Sequence, residues 1–228
     1  MQTDPNAPPL NPLPWIVWVL ALPLIAVEIV LALGSSGFVG GPAATGWRLD
    51  AVERFAFVPE LLRLGWETDQ WRLDSFWRMF SYPLVHATFS HALFSVVILL
   101  ALGKWVGEVF RPLAVFVVVA AACLAGAVAY TLVPDVQAPL IGAYPPVYGL
   151  IGAFTYVLWM RLSATGGRQY QAFTLIGTLL ALQLVFGMLF GGGWDWVADV
   201  AGFGAGFASS FVVSPGGLAR LKRKLRQR

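Results

Sequence analysis

Residues 142–153 read Gly-Ala-Tyr-Pro-Pro-Val-Tyr-Gly-Leu-Ile-Gly-Ala, a run of small residues with two prolines near its start. Proline is favoured at the first position of a helix, so this stretch predicts a helix that starts directly after Tyr144. The apolar run ends near Met160, which leaves roughly 16 residues, or about 24 Å, of helix. A bilayer core is about 30 Å thick. We therefore expect the helix to start below the membrane surface, with residues 134–143 lining a protein-enclosed cavity.

The composition places this helix in a membrane protein. Of the 228 residues, 58% are hydrophobic and only 12% are charged, whereas soluble domains carry about 25% charged residues. So few charges cannot cover a water-facing globule of this size, which excludes a soluble globular domain. The single cysteine, Cys123, excludes an internal disulfide framework. The apolar residues form six stretches of about membrane-spanning length: 13–33, 84–102, 113–133, 144–160, 172–190 and 196–213.

Basic residues set the expected orientation. Six of the fifteen Lys and Arg residues lie in the C-terminal segment 220–228. A basic segment that directly follows an apolar helix is typical of a cytoplasmic anchor beside anionic lipid, and we expect no nucleic-acid partner. With six spans, both termini then lie in the cytoplasm, and we expect a bacterial-type inner (plasma) membrane. The short loops on that side also carry basic residues: Lys104, Arg111, Arg161 and Arg168.

The loop after the first span, residues 34–82, is unusually long. It mixes tryptophan and other large apolar residues with charges, a pattern typical of short amphipathic helices in the membrane interface. The predicted fold class is therefore an all-α membrane protein, a six-transmembrane-helix bundle with a large membrane-associated first loop. We divide the chain into an N-terminal cytoplasmic tail (1–12), a transmembrane domain (13–213) and a basic cytoplasmic tail (214–228).

Two further segments place polar or small residues inside apolar spans. The second span opens near His86, and His91 and Ser95, four residues apart, share one helix face. The sixth span contains Asp199, a functional candidate because a charged group inside a membrane is costly. Small residues on the fourth and sixth spans predict close packing of these two helices: Gly149, Gly152, Gly202 and Gly206.

Together these segments resemble the rhomboid family of intramembrane serine proteases. The family carries His-x4-His-x3-Asn on its second helix, Gly-x-Ser-Gly before its fourth and Ala-His-x2-Gly-x3-Gly on its sixth. Three segments of this chain are similar to these patterns, in the same order: His86 to Ser95, Gly142 to Pro145, and Ala198 to Gly206. Trp47-Arg48 in the long loop resembles the family's Trp-Arg element. The resemblance covers residues 13–213 and implies a six-helix core with a central cavity and a lateral gate.

The resemblance also implies where the family's reacting groups would lie. Its nucleophilic serine falls on Tyr144 and its general base on Asp199. Ser95 replaces an asparagine that, with His86 and His91, belongs to the side that stabilises the oxyanion. A phenol with a pKa of about 10 and a carboxylate with a pKa of about 4 do not form a nucleophile and base pair, and a lost oxyanion donor costs roughly 10²–10³ in rate. We therefore expect no catalytic residues, and a hydrogen bond between Tyr144 and Asp199.

The resulting hypothesis is a pseudoprotease that binds transmembrane segments of client membrane proteins. Its expected partners are those segments and membrane lipids. No cofactor or metal is expected, because no third ligand accompanies the two histidines. Two alternatives stay open: an active rhomboid serine endopeptidase with a rearranged site, and a small proton-linked transporter or channel that uses Asp199, Glu28 and the two histidines. Against the transporter, the sequence contains no inverted repeat.

Overall fold

A computed structural model describes residues 12–190, 192–217 and 219. Within these ranges the chain is almost entirely helical, and one isolated β-bridge links two loops. Nearly all of the predicted N-terminal tail and most of the basic C-terminal tail lie outside the described residues. The α-helices of the described ranges are α1 Trp15–Ser35, α2 Trp47–Phe55, α3 Pro59–Thr68, α4 Leu73–Ser81, α5 Phe89–Val109, α6 Pro112–Thr131, α7 Tyr144–Thr165, α8 Thr174–Phe190 and α9 Asp195–Val213.

Five of these helices, namely α1, α5, α6, α7 and α9, are long and apolar enough to cross a membrane. They coincide with five of the six predicted stretches. The sixth stretch forms α8, which has 17 residues, slightly fewer than the roughly 20 that a bilayer core requires. The helices confirm the predicted all-α, multi-pass membrane bundle, and we propose α8 as its sixth span.

Helix α7 begins at Tyr144, one residue before the start that its two prolines predict, and it is longer than expected. It continues to Thr165, for 22 residues in all, or about 33 Å. It ends at Gly166, which takes a left-handed conformation with φ of 71°. The prediction of an end near Met160 was wrong, because the polar residues of the last turns continue the helix. Helix length therefore gives no reason for a submerged start.

The loop before α7 is held against the long first loop. Phe57 and Leu140 form an antiparallel bridge with N–H to O distances of 3.0 and 2.8 Å. Arg63 donates hydrogen bonds of 2.6–2.9 Å to three backbone carbonyls at and beyond the end of α6. These carbonyls lie where a helix end leaves acceptors without intrahelical partners. The first loop, which contains α2, α3 and α4 as predicted, thus fixes the connection between α6 and α7.

Helices α7 and α9 pack backbone against backbone. A Cβ on Gly202 would lie against the carbonyl oxygen of Pro145, and a Cβ on Gly206 would overlap the carbonyl of Gly149. Gly152 likewise leaves no room for a Cβ beside the backbone of α9. Only glycine permits this approach, and the approach brings the start of α7 directly against the first turns of α9.

Candidate functional site

Three segments meet at the end of the bundle where α5, α7 and α9 begin. The backbone of residue 143 contacts the His86 ring, the residue-144 ring contacts His91, and the start of α7 touches α9. The side chains that the sequence singled out lie in this region. We call this group the polar cluster, and it comprises His86, His91, Ser95, Tyr144 and Asp199.

His86 is fully buried, and its hydrogen bonding indicates its tautomer. Its Nε2 accepts a hydrogen bond from the backbone N–H of Ala143 at 3.3 Å. Burial, followed by the nearby His91 and Arg48, lowers the pKa of His86 to about 4, so the ring is neutral at pH 7. The proton of a neutral ring whose Nε2 accepts lies on Nδ1. Within the described residues Nδ1 has no hydrogen-bond partner, so a buried donor is left unpaired.

His91 stacks on the phenol of Tyr144, with ring centroids 5.0 Å apart. The His86 ring meets it edge-on, also at 5.0 Å. Nε2 of His91 is buried without a hydrogen-bond partner among the described residues. A Cβ on Gly142 would approach this nitrogen to 2.6 Å, and the φ of 94° at Gly142 also favours glycine. The loop backbone therefore closes tightly over the imidazole.

Ser95 is buried, and its hydroxyl donates to the carbonyl oxygen of His91 at 2.9 Å. This bond to a residue four positions earlier is a common use of serine within a helix. A hydroxyl committed to a backbone carbonyl does not offer its proton to an imidazole. The serine of the polar cluster is thus placed as a structural group of α5.

Asp199 is held by helix α8 rather than by the start of α7. The Asp199 Oδ2 accepts a hydrogen bond from Nε2 of Gln183 at 2.9 Å. The Oε1 of Gln183 in turn accepts one from the hydroxyl of Tyr148 at 3.3 Å. The expected hydrogen bond between Tyr144 and Asp199 was therefore wrong. The physical reason is that the phenol stacks on the His91 ring of α5, while the amide of Gln183 on α8 supplies Asp199 with its donor.

The Trp-Arg element of the first loop reaches the polar cluster from α2. Arg48 forms a bidentate ion pair with Glu28 of α1, at 2.6 and 3.1 Å. It also donates to the backbone carbonyl of His86 at 2.7 Å. The ring of Trp47 fills the space next to Gly34, where a Cβ would approach it to 2.7 Å. This element therefore links α1, the first loop and the segment that carries His86.

Gln183 is the residue of this site that sequence reasoning missed. It lies near the middle of the apolar helix α8. A carboxamide at such a depth normally faces other protein groups rather than lipid, and this signal is present in the sequence. As for metals, no group of three or more His, Cys, Asp or Glu side chains that could hold an ion lies within the described ranges.

The low pKa of His86 leads to a prediction about acid stability. The ring protonates near pH 6.5 in the unfolded chain but only at a pH of about 4 in the folded one. Protons therefore favour the unfolded state, and stability falls as the pH drops from about 6.5 to about 4, by about 3 kcal/mol in total. In the His86→Gln variant, glutamine keeps an acceptor for Ala143 and does not titrate, so this variant should lose less stability.

Thermal melting of both proteins in the same detergent at pH 7 and pH 4.5 measures the difference. Other groups titrate in both proteins. Only the additional loss of thermal stability in the wild-type protein, compared with the variant, therefore reports on His86. Equal losses would contradict the prediction.

The chain is similar to a known protein family over the part that carries the polar cluster. A family model described as Rhomboid domain matches residues 73–216, which is more than half of the chain. The matched range begins with α4 and contains every member of the polar cluster together with Gln183. No curated protein matches the chain.

Proposed function

The chain belongs to the rhomboid family, and from this premise we propose that it is a non-catalytic member that binds transmembrane segments of client membrane proteins. One observation carries the proposal. At the two positions where the family resemblance expects serine and histidine, a tyrosine stacks on His91 and an aspartate is bonded to Gln183. Neither arrangement joins a hydroxyl to a base.

The chemistry of peptide-bond cleavage requires such a pair. A weak nucleophile must have a base of suitable pKa within hydrogen-bond reach. The hydroxyl of Ser95 donates to a backbone carbonyl, and Nε2 of His91 has no hydroxyl partner among the described residues. The Asp199 carboxylate already accepts a hydrogen bond from the amide of Gln183. These contacts support recognition rather than acyl transfer.

The same site offers groups that favour binding. The Nδ1–H of His86 and the Nε2 of His91 are a buried donor and a buried ring nitrogen without partners in the described structure. Leaving such groups unpaired is costly, so a segment that displaces the loop over them and supplies a carbonyl, hydroxyl or amide gains affinity. Helix α8, whose Gln183 donates to Asp199, presents a largely apolar surface on which Leu182, Met188 and Leu189 are more than half exposed. An apolar helix with one polar group matches this combination.

We also propose the location and organisation of the protein. Residues 13–213 form the transmembrane domain of a bacterial-type inner-membrane protein, with both termini and the tails 1–12 and 214–228 in the cytoplasm. The positions of Lys104, Arg111 and Arg161 at one end of the bundle support this orientation, because basic residues accumulate on the cytoplasmic side.

The non-catalytic part is tested by reactivity. Purified protein in proteoliposomes should not react with a serine-directed fluorophosphonate and should leave a panel of transmembrane substrates intact, while an active rhomboid in identical vesicles labels and cleaves. Labelling or cleavage that disappears in Ser95→Ala, or in Ser90→Ala at the serine directly before His91, would establish the alternative, a protease with a rearranged site.

The binding part is tested by cross-linking on the same preparation. A photoreactive phenylalanine in place of Tyr144 should cross-link transmembrane segments that pass near the polar cluster. The same amino acid in place of Leu124, which is 44% exposed on α6, is the matched control for random lipid-phase encounters. Equal cross-linking at positions 144 and 124 would remove the support for client binding at this site.

A further inference from the structure

A second site lies at the opposite end of the bundle, between α5 and α7. Here the two helices leave an open groove of about 430 Å³. Its walls are apolar, and the ring of Trp105 meets that of Phe154 edge-on at 6.4 Å. Val157 and Leu158 continue the apolar wall along α7. The polar cluster lies at the starts of these helices and this groove lies near their ends, so the two sites are separate.

The mouth of the groove carries charge. Arg161 lies in its lining on α7, and Glu108 lies in its lining on α5. Glu108 is paired with Lys104 at 3.8 Å, and no carboxylate in the described part of the chain lies within ion-pair distance of Arg161. Arg111 and Arg168 extend the same end of the bundle. The mouth is therefore net positive, whereas the wall is apolar.

The depth of these residues matches the boundary of a bilayer. Arg161 lies 17 residues beyond the start of α7, or about 26 Å along its axis. Trp105 lies 16 residues beyond the start of α5, or about 24 Å along that helix. Tryptophan and basic residues are both enriched where the hydrocarbon core meets the headgroups. The groove therefore runs from the headgroup level into the hydrocarbon.

We propose that this groove binds an anionic glycerophospholipid, with an acyl chain along the apolar wall and the phosphate at Arg161. The apolar wall alone would accept any lipid tail. The unpaired positive charge at its mouth selects an anionic headgroup, because basic pockets between transmembrane helices attract such headgroups. The site is independent of client binding, and it needs no change in the polar cluster.

Native mass spectrometry of delipidated protein in detergent tests the proposal. Phosphatidylglycerol and phosphatidylcholine with identical acyl chains are added separately, and retained lipid is counted. Wild-type protein should retain phosphatidylglycerol in preference to phosphatidylcholine, and Arg161→Gln should reduce that preference about fivefold. Arg168→Gln removes the same charge at the same end but outside the groove lining, and it should keep the preference.

Two further arms separate the groove from a general surface effect. Val157→Trp, which fills the groove, should reduce retention of both lipids, and inorganic phosphate should neither be retained nor compete. Equal binding of both lipids by wild-type protein, equal losses in the Arg161 and Arg168 variants, or competition by phosphate would each overturn the proposal. If Val157→Trp does not fold, the comparison of Arg161→Gln with Arg168→Gln is by itself sufficient to test the proposal.

Discussion

Gly206→Ala is expected to destabilise the bundle by about 2–3 kcal/mol, although it adds one methyl group. The new Cβ would overlap the carbonyl group of Gly149 across the interface of α7 and α9. Backbone atoms cannot rotate away as a flexible side chain can, so the two helices must separate. Separation weakens the contact that places the start of α7 against α9, and it should disturb the polar cluster as well.

Gly204→Ala is the matched control for this change. Gly204 lies two residues earlier on α9, is exposed, and its Cβ would meet no heavy atom within 4 Å. Alanine is a better helix former than glycine by up to about 1 kcal/mol, so this variant should melt at or slightly above the wild-type temperature. Thermal or denaturant unfolding in one detergent compares the three proteins. Similar melting of the two variants would refute the close contact between α7 and α9.

Arg48→Gln is expected to destabilise the protein by about 3 kcal/mol. The substitution leaves Glu28, which is only 5% exposed, without its bidentate cation inside α1. It also removes the hydrogen bond to the backbone of His86. Breaking a buried ion pair from one side is costly because the remaining charge has neither water nor a partner. The loss should therefore appear both in melting and in cross-linking from position 144.

Two further variants isolate the cause. Arg54→Gln removes an exposed arginine from the same helix, α2, and should change stability by less than about 0.5 kcal/mol. The double variant Arg48→Gln/Glu28→Gln leaves no unpaired charge and should be more stable than Arg48→Gln alone. If the double variant loses as much stability as Arg48→Gln and Glu28→Gln lose separately, added together, the ion pair does not couple the first loop to α1.

Much of this fold was predictable from local patterns. The prolines at residues 145 and 146 predicted a start of α7 directly after Tyr144, and the observed helix begins one residue earlier, at Tyr144. The apolar stretches located the other long helices to within several residues. The end of α7 was misjudged because hydropathy marks where a chain leaves lipid, whereas a helix continues until its backbone changes, here at Gly166.

The partners of the polar cluster were less predictable. Glu28 of α1 has Arg48 of the first loop as its partner. Asp199 was assigned to Tyr144 but is bonded to Gln183. Gln183 is 16 residues away in sequence, on a helix whose rotation toward α9 no local pattern reveals.

By itself, the sequence determined that this chain forms a helical membrane bundle and that its fourth and sixth spans pack closely. A bilayer demands helices because it offers the backbone no water, and glycine spacing is a local property of each helix. Only the tertiary structure decided which side chains meet. The choice between a tyrosine and a glutamine as the partner of one carboxylate depends on distances and orientations across separate helices, which the order of residues along the chain does not contain.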